Sequence, residues 1–126
     1  MRKILLVEDD EMFGMVLTDQ LEMNGYEVEH LSQPGLTVDK LLEDVYDLVI
    51  MDKLLKGIDG TAVCREIRNT VGTSEIPILM MSGLDGARQT CIDAGANDFI
   101  AKPFEISQLL VRIEAAIEKE GDLRGN

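Results

Sequence analysis

Several things are scarce in this chain, and each scarcity narrows the reading. Tryptophan is absent and only 4% of the 126 residues are aromatic. Basic residues number 12 against 24 acids, for a formal net charge of −12. That balance argues against unaided nucleic-acid binding, which needs a basic footprint. No apolar run approaches the ~18 residues that a membrane helix needs. The basic start Arg2-Lys3 leads only into Ile4-Leu5-Leu6-Val7 before acids follow, too short for the apolar region of a signal peptide. The two cysteines, Cys64 and Cys91, form neither a disulfide framework nor a metal motif. Both fall in segments that read as helical, so free thiols in a reducing, cytoplasmic setting are expected. Histidine occurs once, at position 30.

What is present is enough for one domain. The apolar fraction is 45%, which argues against disorder in spite of the charge. Five β-branched-rich apolar runs recur at the pitch of βα units, about 20–30 residues apart. They are Lys3 to Val7, Tyr26 to His30, Asp47 to Met51, Pro77 to Met81 and Asp98 to Ala101. The first, third and fourth are nearly continuous apolar runs, as buried parallel strands are. The second alternates and carries charge, as an edge strand does.

Helical periods fill the gaps. Ile106, Leu109, Leu110, Ile113 and Ile117 make one stripe, and Phe13, Leu17 and Leu21 another, stopped by Gly25. Val38, Leu41, Leu42 and Val45 follow Pro34-Gly35, and Val63, Ile67 and Val71 follow the third strand. Asp85 to Ala94 is the weakest helix, flanked by Gly86 and Gly95. Strict β/α alternation with buried strands implies an α/β fold. The expectation is a flavodoxin-like, doubly wound five-stranded parallel sheet of order 2-1-3-4-5, with five helices. Residues 1–120 are expected to form this domain, and the polar 121–126 a C-terminal tail or the start of a linker.

In such sheets ligands bind beyond the carboxyl ends of the strands. Those ends carry Glu8-Asp9-Asp10, Asp52, Ser82-Gly83 and Lys102-Pro103. Taken singly, Asp10 reads equally well as a helix N-cap, Ser82 as a cap and Lys102 as a surface lysine. Taken together they converge. Glu8, Asp9 and Asp52 crowd like charges that raise one another's pKa, and a hard divalent cation with oxygen ligands relieves the crowding. Asp52 between a metal, a lysine and a hydroxyl is a place to hold a phosphoryl group, and phosphoryl transfer asks mainly for positioning and charge neutralisation. His30, on the edge strand, is expected to lie far from this pocket.

The same residues carry a resemblance. Ile4-Leu5-Leu6-Val7-Glu8-Asp9-Asp10, Asp47-Leu48-Val49-Ile50-Met51-Asp52, Gly57-Ile58-Asp59-Gly60, Ile78-Leu79-Met80-Met81-Ser82-Gly83 and Gly95 through Phe104 stand in the order and spacing of one family. Over about residues 2–120 the chain resembles the receiver domain of bacterial two-component response regulators, of the chemotaxis-regulator type. The resemblance implies a signalling switch rather than a turnover enzyme, one that assists its own phosphorylation and dephosphorylation. Asp52 would accept a phosphoryl group from a histidine kinase or histidine phosphotransfer protein. Glu8, Asp9, Asp52 and the Leu54 carbonyl would hold Mg²⁺ or Mn²⁺, with Glu8 in place of the commoner Asp. Ser82 would be the switch hydroxyl and Lys102 the lysine beside the phosphoryl group, joined to Pro103 by a cis peptide. Phe99 would be the switch aromatic that moves inward when Ser82 moves. The face made by the fourth helix, fifth strand and fifth helix would then control a downstream protein or a C-terminal output domain. Pairing of two copies through that face on phosphorylation is open at the family level. No nucleic-acid or membrane contact by this domain is implied.

The chain departs from the family at two places. The proline usual four positions after the acceptor is Lys56, which is expected to loosen the loop Lys53 to Gly57 and to place two cations beside the site. The two positions that often set phosphoryl lifetime are Leu54 and Leu84. Neither can orient a water, so slow self-dephosphorylation is expected. Two other classes fit less well. An aspartyl phosphatase of the haloacid dehalogenase type needs an acid where Leu54 stands. A flavin carrier needs a phosphate loop where Glu8-Asp9-Asp10 stand, and aromatics that the chain lacks. A stand-alone regulator and the receiver piece of a longer one both remain open.

Overall fold

In the computed structural model the described residues are 1–125, with side chains described through Glu118. The chain runs β1 (Lys3–Val7), α1 (Glu11–Met23), β2 (Glu27–Leu31), a 3₁₀ turn (Pro34–Leu36), α2 (Thr37–Glu43), β3 (Leu48–Asp52), β4 (Leu54–Leu55), β5 (Ile58–Asp59), α3 (Gly60–Arg68), β6 (Ile78–Ser82), α4 (Ala87–Asp93), β7 (Asp98–Ala101) and α5 (Ile106–Gly125). The main sheet is parallel, in the order β2-β1-β3-β6-β7. Counting only its five strands, this is the expected 2-1-3-4-5.

Alternation along the strands divides the core in two. Ile4, Leu6, Leu48, Ile50, Leu79, Met81 and Ile100 face α1 and α5, meeting Leu17, Leu21, Leu109, Ile113 and Ile117. Leu5, Val7, Val49, Met51, Ile78, Met80 and Phe99 face the other way and meet Val38, Leu41, Val63, Cys64, Ile67, Ala87 and Cys91. Each large side chain sealed in this way contributes about 1.5–3 kcal/mol relative to exposure. Because the central strands are apolar on both faces, only their ends are left to carry chemistry.

The structure corrects the sequence reading at several edges. The second, third and fourth main-sheet strands begin one residue later than expected, at Glu27, Leu48 and Ile78. Tyr26 N–H still belongs to the end of α1, bonded to Leu21 O, and Asp47 is turned outward so that its carboxylate accepts Lys3 N–H at 2.8 Å. Asp52 and Ser82 are therefore the last residues of β3 and β6, inside the sheet rather than past it. The stripes on α2 and α3 are shorter than expected. Leu42 and Val45 are exposed, and Val71, 94% exposed, lies beyond the end of α3 at Arg68. α4 is short as well. It starts at Ala87 behind Gly86, whose φ of +74° is left-handed and which offers no side-chain cap. α5 runs from Ile106 to Gly125. The side chains of 119–125 and all of Asn126 lie outside the described residues.

Candidate phosphoacceptor cleft

Asp52, Ser82 and Lys102 stand at the carboxyl ends of β3, β6 and β7, and Glu8-Asp9 follow β1. A cleft of about 1350 Å³ opens over them, lined by Glu8, Asp9, Asp52, Leu54, Lys56 and Lys102 among others. Asp52 is buried at its floor, 5% exposed. Each of its carboxylate oxygens has one donor: Oδ1 accepts Leu54 N–H at 2.8 Å, and Oδ2 accepts Lys102 Nζ. Lys102 Nζ also stands 3.6 Å from Glu8 Oε1 and 4.4 Å over the Phe13 ring. The Lys102–Pro103 peptide is cis, as the resemblance implies.

The crowding of acids is resolved locally. Glu8 is 3% exposed. Burial pushes its carboxyl up to about 7, and the Asp52 charge adds to that, while Asp10 N–H and Lys102 pull the other way. Asp9 is held elsewhere, its Oδ2 accepting the backbone N–H of Lys56. The structure thus brings Glu8 and Asp52 together around Lys102 and ties Asp9 to the neighbouring loop. Among the described residues no three acids, histidines or cysteines stand close enough to form a ready-made metal group.

That loop is not loose. β4 and β5 pair antiparallel through Leu54↔Asp59 and Leu55↔Ile58, with the turn made by Gly57 at φ +72°. Lys53 Nζ reaches Asp59 at 3.3 Å. The lysine at 56 supplies the N–H that Asp9 uses, a donor that proline lacks. Asp10 settles as a cap: its Oδ1 accepts Phe13 N–H at 3.0 Å at the start of α1. Leu54 lines the cleft and is exposed; Leu84, also exposed, stands beside Gly83 at its rim.

Ser82 is 1% exposed, and its Oγ accepts Leu84 N–H at 3.0 Å, which leaves the hydroxyl proton to donate elsewhere. Phe99 is already inward, 6% exposed, against an α4 face built from the small residues Ala87 and Cys91. Beside it, Asp98 Oδ1 accepts Arg112 Nη1 at 2.8 Å and lies 3.7 Å from Arg88, tying α4 and α5 to β7. Both thiols are buried, and burial pushes Cys64 up to about 11 and Cys91 upward, so neither is a nucleophile at neutral pH.

Sequence reasoning missed three members of this neighbourhood. The sequence pattern marks Phe13 only as part of a core stripe, although it stands in the first turn of the helix that follows β1 and lines the cleft. The Lys56 N–H left no signal except the missing proline. His30 is not remote: its Nε2 lies 2.7 Å from the Glu8 carbonyl.

A five-stranded parallel sheet of this order, with an acidic residue, an aspartate and a lysine at the ends of β1, β3 and β7, has the fold of response-regulator receivers, and the comparisons agree. The response regulator receiver domain family model matches residues 4–114. The chain belongs to that family. It is 41% identical over 122 residues to the uncharacterized transcriptional regulatory protein YkoG of Bacillus subtilis, covering 94% of this chain and 52% of that protein. The chain thus spans about half the length of the curated relatives it matches. A response-regulator structure from Chloroflexus aurantiacus superposes with a TM-score of 0.87 at 34% identity, covering 93% of this chain and 98% of that one. The receiver domain of a Pseudomonas aeruginosa sensor histidine kinase, described with a magnesium ion coordinated in its active-site cleft, gives 0.84 at 33% identity, covering 93% and 98%. No helix among the described residues is long and apolar enough to cross a membrane.

Proposed function

We propose that this receiver domain is a phosphorylation-activated switch in which Asp52 accepts the phosphoryl group. The observation that carries this is the setting of its carboxylate: buried at the floor of an open cleft, one oxygen on the Leu54 N–H, the other on Lys102. The donor is the phosphohistidine of a histidine kinase or phosphotransfer protein. As the P–O bond to Asp52 forms, the donor's P–N bond breaks and the departing imidazole takes up a proton. An aspartate nucleophile needs no general base, so the chain's task is to position and neutralise. Lys102 supplies a fixed positive charge, and Ser82 a hydroxyl proton.

Glu8, Asp9, Asp52 and the Leu54 carbonyl are proposed to hold Mg²⁺ or Mn²⁺. The donor set fits, being all oxygen on one cleft, and a cation would favour the ionised form of the Glu8 carboxyl that burial pushes up to about 7. When bound, the metal would offset charge on the phosphoryl oxygens. Leu54 and Leu84 offer no group to orient an attacking water, so hydrolysis of the phosphoryl-aspartate, which the domain itself assists, is slow. A phosphate adds about −1.5 to −2 charge. It would draw the Ser82 hydroxyl from its Leu84 contact, and the change would reach the α4–β7–α5 face around Phe99. Readout through that face, to a downstream protein or a C-terminal output domain, in a cytoplasmic setting, completes the proposal; pairing of two copies there is one form the readout could take.

The test is treatment with Mg²⁺ and acetyl phosphate or beryllofluoride, read by mass spectrometry and amide NMR. Wild type should gain one phosphoryl group, with shifts spreading from Asp52 to Ser82 and Phe99, and Asp52→Asn should gain none. Equal labelling of Asp52→Asn would sink the assignment.

A further inference from the structure

We propose that His30 is a positioning residue of the acidic cleft: by holding the Glu8 carbonyl it fixes the direction in which Glu8 and Asp9 leave the end of β1. This rests on the reading of those acids as the cation-binding pair. The parallel ladder between β1 and β2 closes at Val7↔Leu31. Glu8 N–H still reaches Leu31 O at 3.0 Å. The Glu8 carbonyl lies past the last ladder pair and takes its partner from a side chain, His30 Nε2 at 2.7 Å. The backbone of Glu8 is thereby held on both sides by β2. Its side chain, in turn, accepts Asp10 N–H on Oε2 at 3.2 Å and meets Lys102 with Oε1. A rotation of the Glu8 peptide would move all of these, and Asp9 with them.

The fold makes room for this bond at a cost. Gly14 lies inside α1, where glycine is among the poorer helix formers. A Cβ at that position would stand 2.1 Å from His30 Cε1 and 2.2 Å from Nε2, far inside van der Waals contact. The helix therefore lies directly on the imidazole, which is wedged between α1 and β2 behind the acids. A carbonyl can only accept, so Nε2 must carry the proton. That also removes Nε2 as a nucleophile.

The chain has one histidine, so ¹⁵N-labelled protein gives one imidazole to observe. The neutral ring should be protonated on Nε2, and its signals should shift in an Mg²⁺ titration with the midpoint shown by the Glu8 and Asp9 amides. The variants are His30→Gln, which keeps an N–H near the same place, and His30→Leu, which keeps bulk without a donor. His30→Leu should raise the Mg²⁺ Kd about tenfold, as loss of an outer-shell partner does, and His30→Gln should stay within about twofold of wild type. Val38→Ala, remote from the cleft, serves as a destabilised control with unchanged Kd. An Nδ1-protonated ring in wild type overturns the proposal, and so does His30→Leu with wild-type affinity, or His30→Gln as weak as His30→Leu. If His30→Leu does not fold, the tautomer and His30→Gln decide. If wild type binds no Mg²⁺, the cation reading itself fails, while the tautomer still reports on the His30–Glu8 bond.

Discussion

The two ends of the sheet both hold a cation among polar groups, yet they are built for opposite purposes. At the amino end Arg68, from the end of α3, donates to Gly95 O at 2.9 Å, Ser74 O at 3.0 Å, Ile76 O at 2.6 Å and Asn97 Oδ1 at 2.8 Å. The same Asn97 oxygen accepts Ile78 N–H at the start of β6. These four partners are neutral and mostly backbone, so the arginine braces the α3–β6 loop against the α4–β7 loop. At the carboxyl end Lys102 faces two carboxylates, Asp52 and Glu8, with an open cleft beyond. Charge alone does not mark a site. A cation closed off by carbonyls has no free chemistry, whereas one that shares two acids with an open side can exchange one of them for an incoming anion.

That contrast breaks most sharply on a pair of variants. Asp52→Asn should abolish phosphoryl uptake from acetyl phosphate, and Lys102→Ala should slow it about 10²-fold, as loss of a charge-stabilising donor does. Neither should unfold the domain. Arg68→Ala should do the reverse. Leaving several carbonyls without a charged donor should cost about 2–4 kcal/mol in urea denaturation, a large share of a small domain's stability, with uptake per folded molecule unchanged. Slow uptake in Arg68→Ala at full folding would mean that the brace belongs to the site.

The cleft should also be visible in the pH dependence of stability. Burial raises the Glu8 carboxyl from 4.5 to about 7. Between those values the folded chain keeps a proton that the unfolded chain has released, so stability falls as pH rises through that window. The loss should be roughly 1–3 kcal/mol, and Glu8→Gln should flatten the curve. Denaturant titrations from pH 5 to 7.5 would show it. Parallel slopes for wild type and Glu8→Gln would place the titration elsewhere.

Much of this was legible in the residues. Apolar runs such as Leu48 to Met51, buried on both faces, announce a parallel sheet, and a parallel sheet puts its chemistry at the strand ends. Asp52, Ser82 and Lys102 follow from that rule alone. The rest failed for physical reasons. β4 and β5 are two residues each, too short for any period to register. Val45 and Val71 continue an apolar stripe past the point where the helix has ended. His30 leaves no signal in the sequence because its bond runs from a side chain to a backbone atom across two strands, a relation with no sequence spacing. Lys56 matters through its N–H, which every residue but proline has.

The smallest effect separates the two uses of acid at the end of β1. Asp9 and Asp10 are adjacent and identical in type, and only geometry divides them. Asp10 is exposed and caps α1 through Phe13 N–H. Asp10→Ala should therefore cost about 1 kcal/mol of stability and leave Mg²⁺ affinity unchanged. Asp9→Ala should cost less stability and weaken Mg²⁺ binding. The cap has one indirect route to the cleft, because Phe13, the residue it fixes, covers Lys102. Asp10→Asn, which keeps the cap oxygen and removes the charge, tells the routes apart. If Asp10→Ala weakens Mg²⁺ binding and Asp10→Asn restores it, the cap acts through Phe13. If both weaken it equally, Asp10 is a third member of the acidic pair.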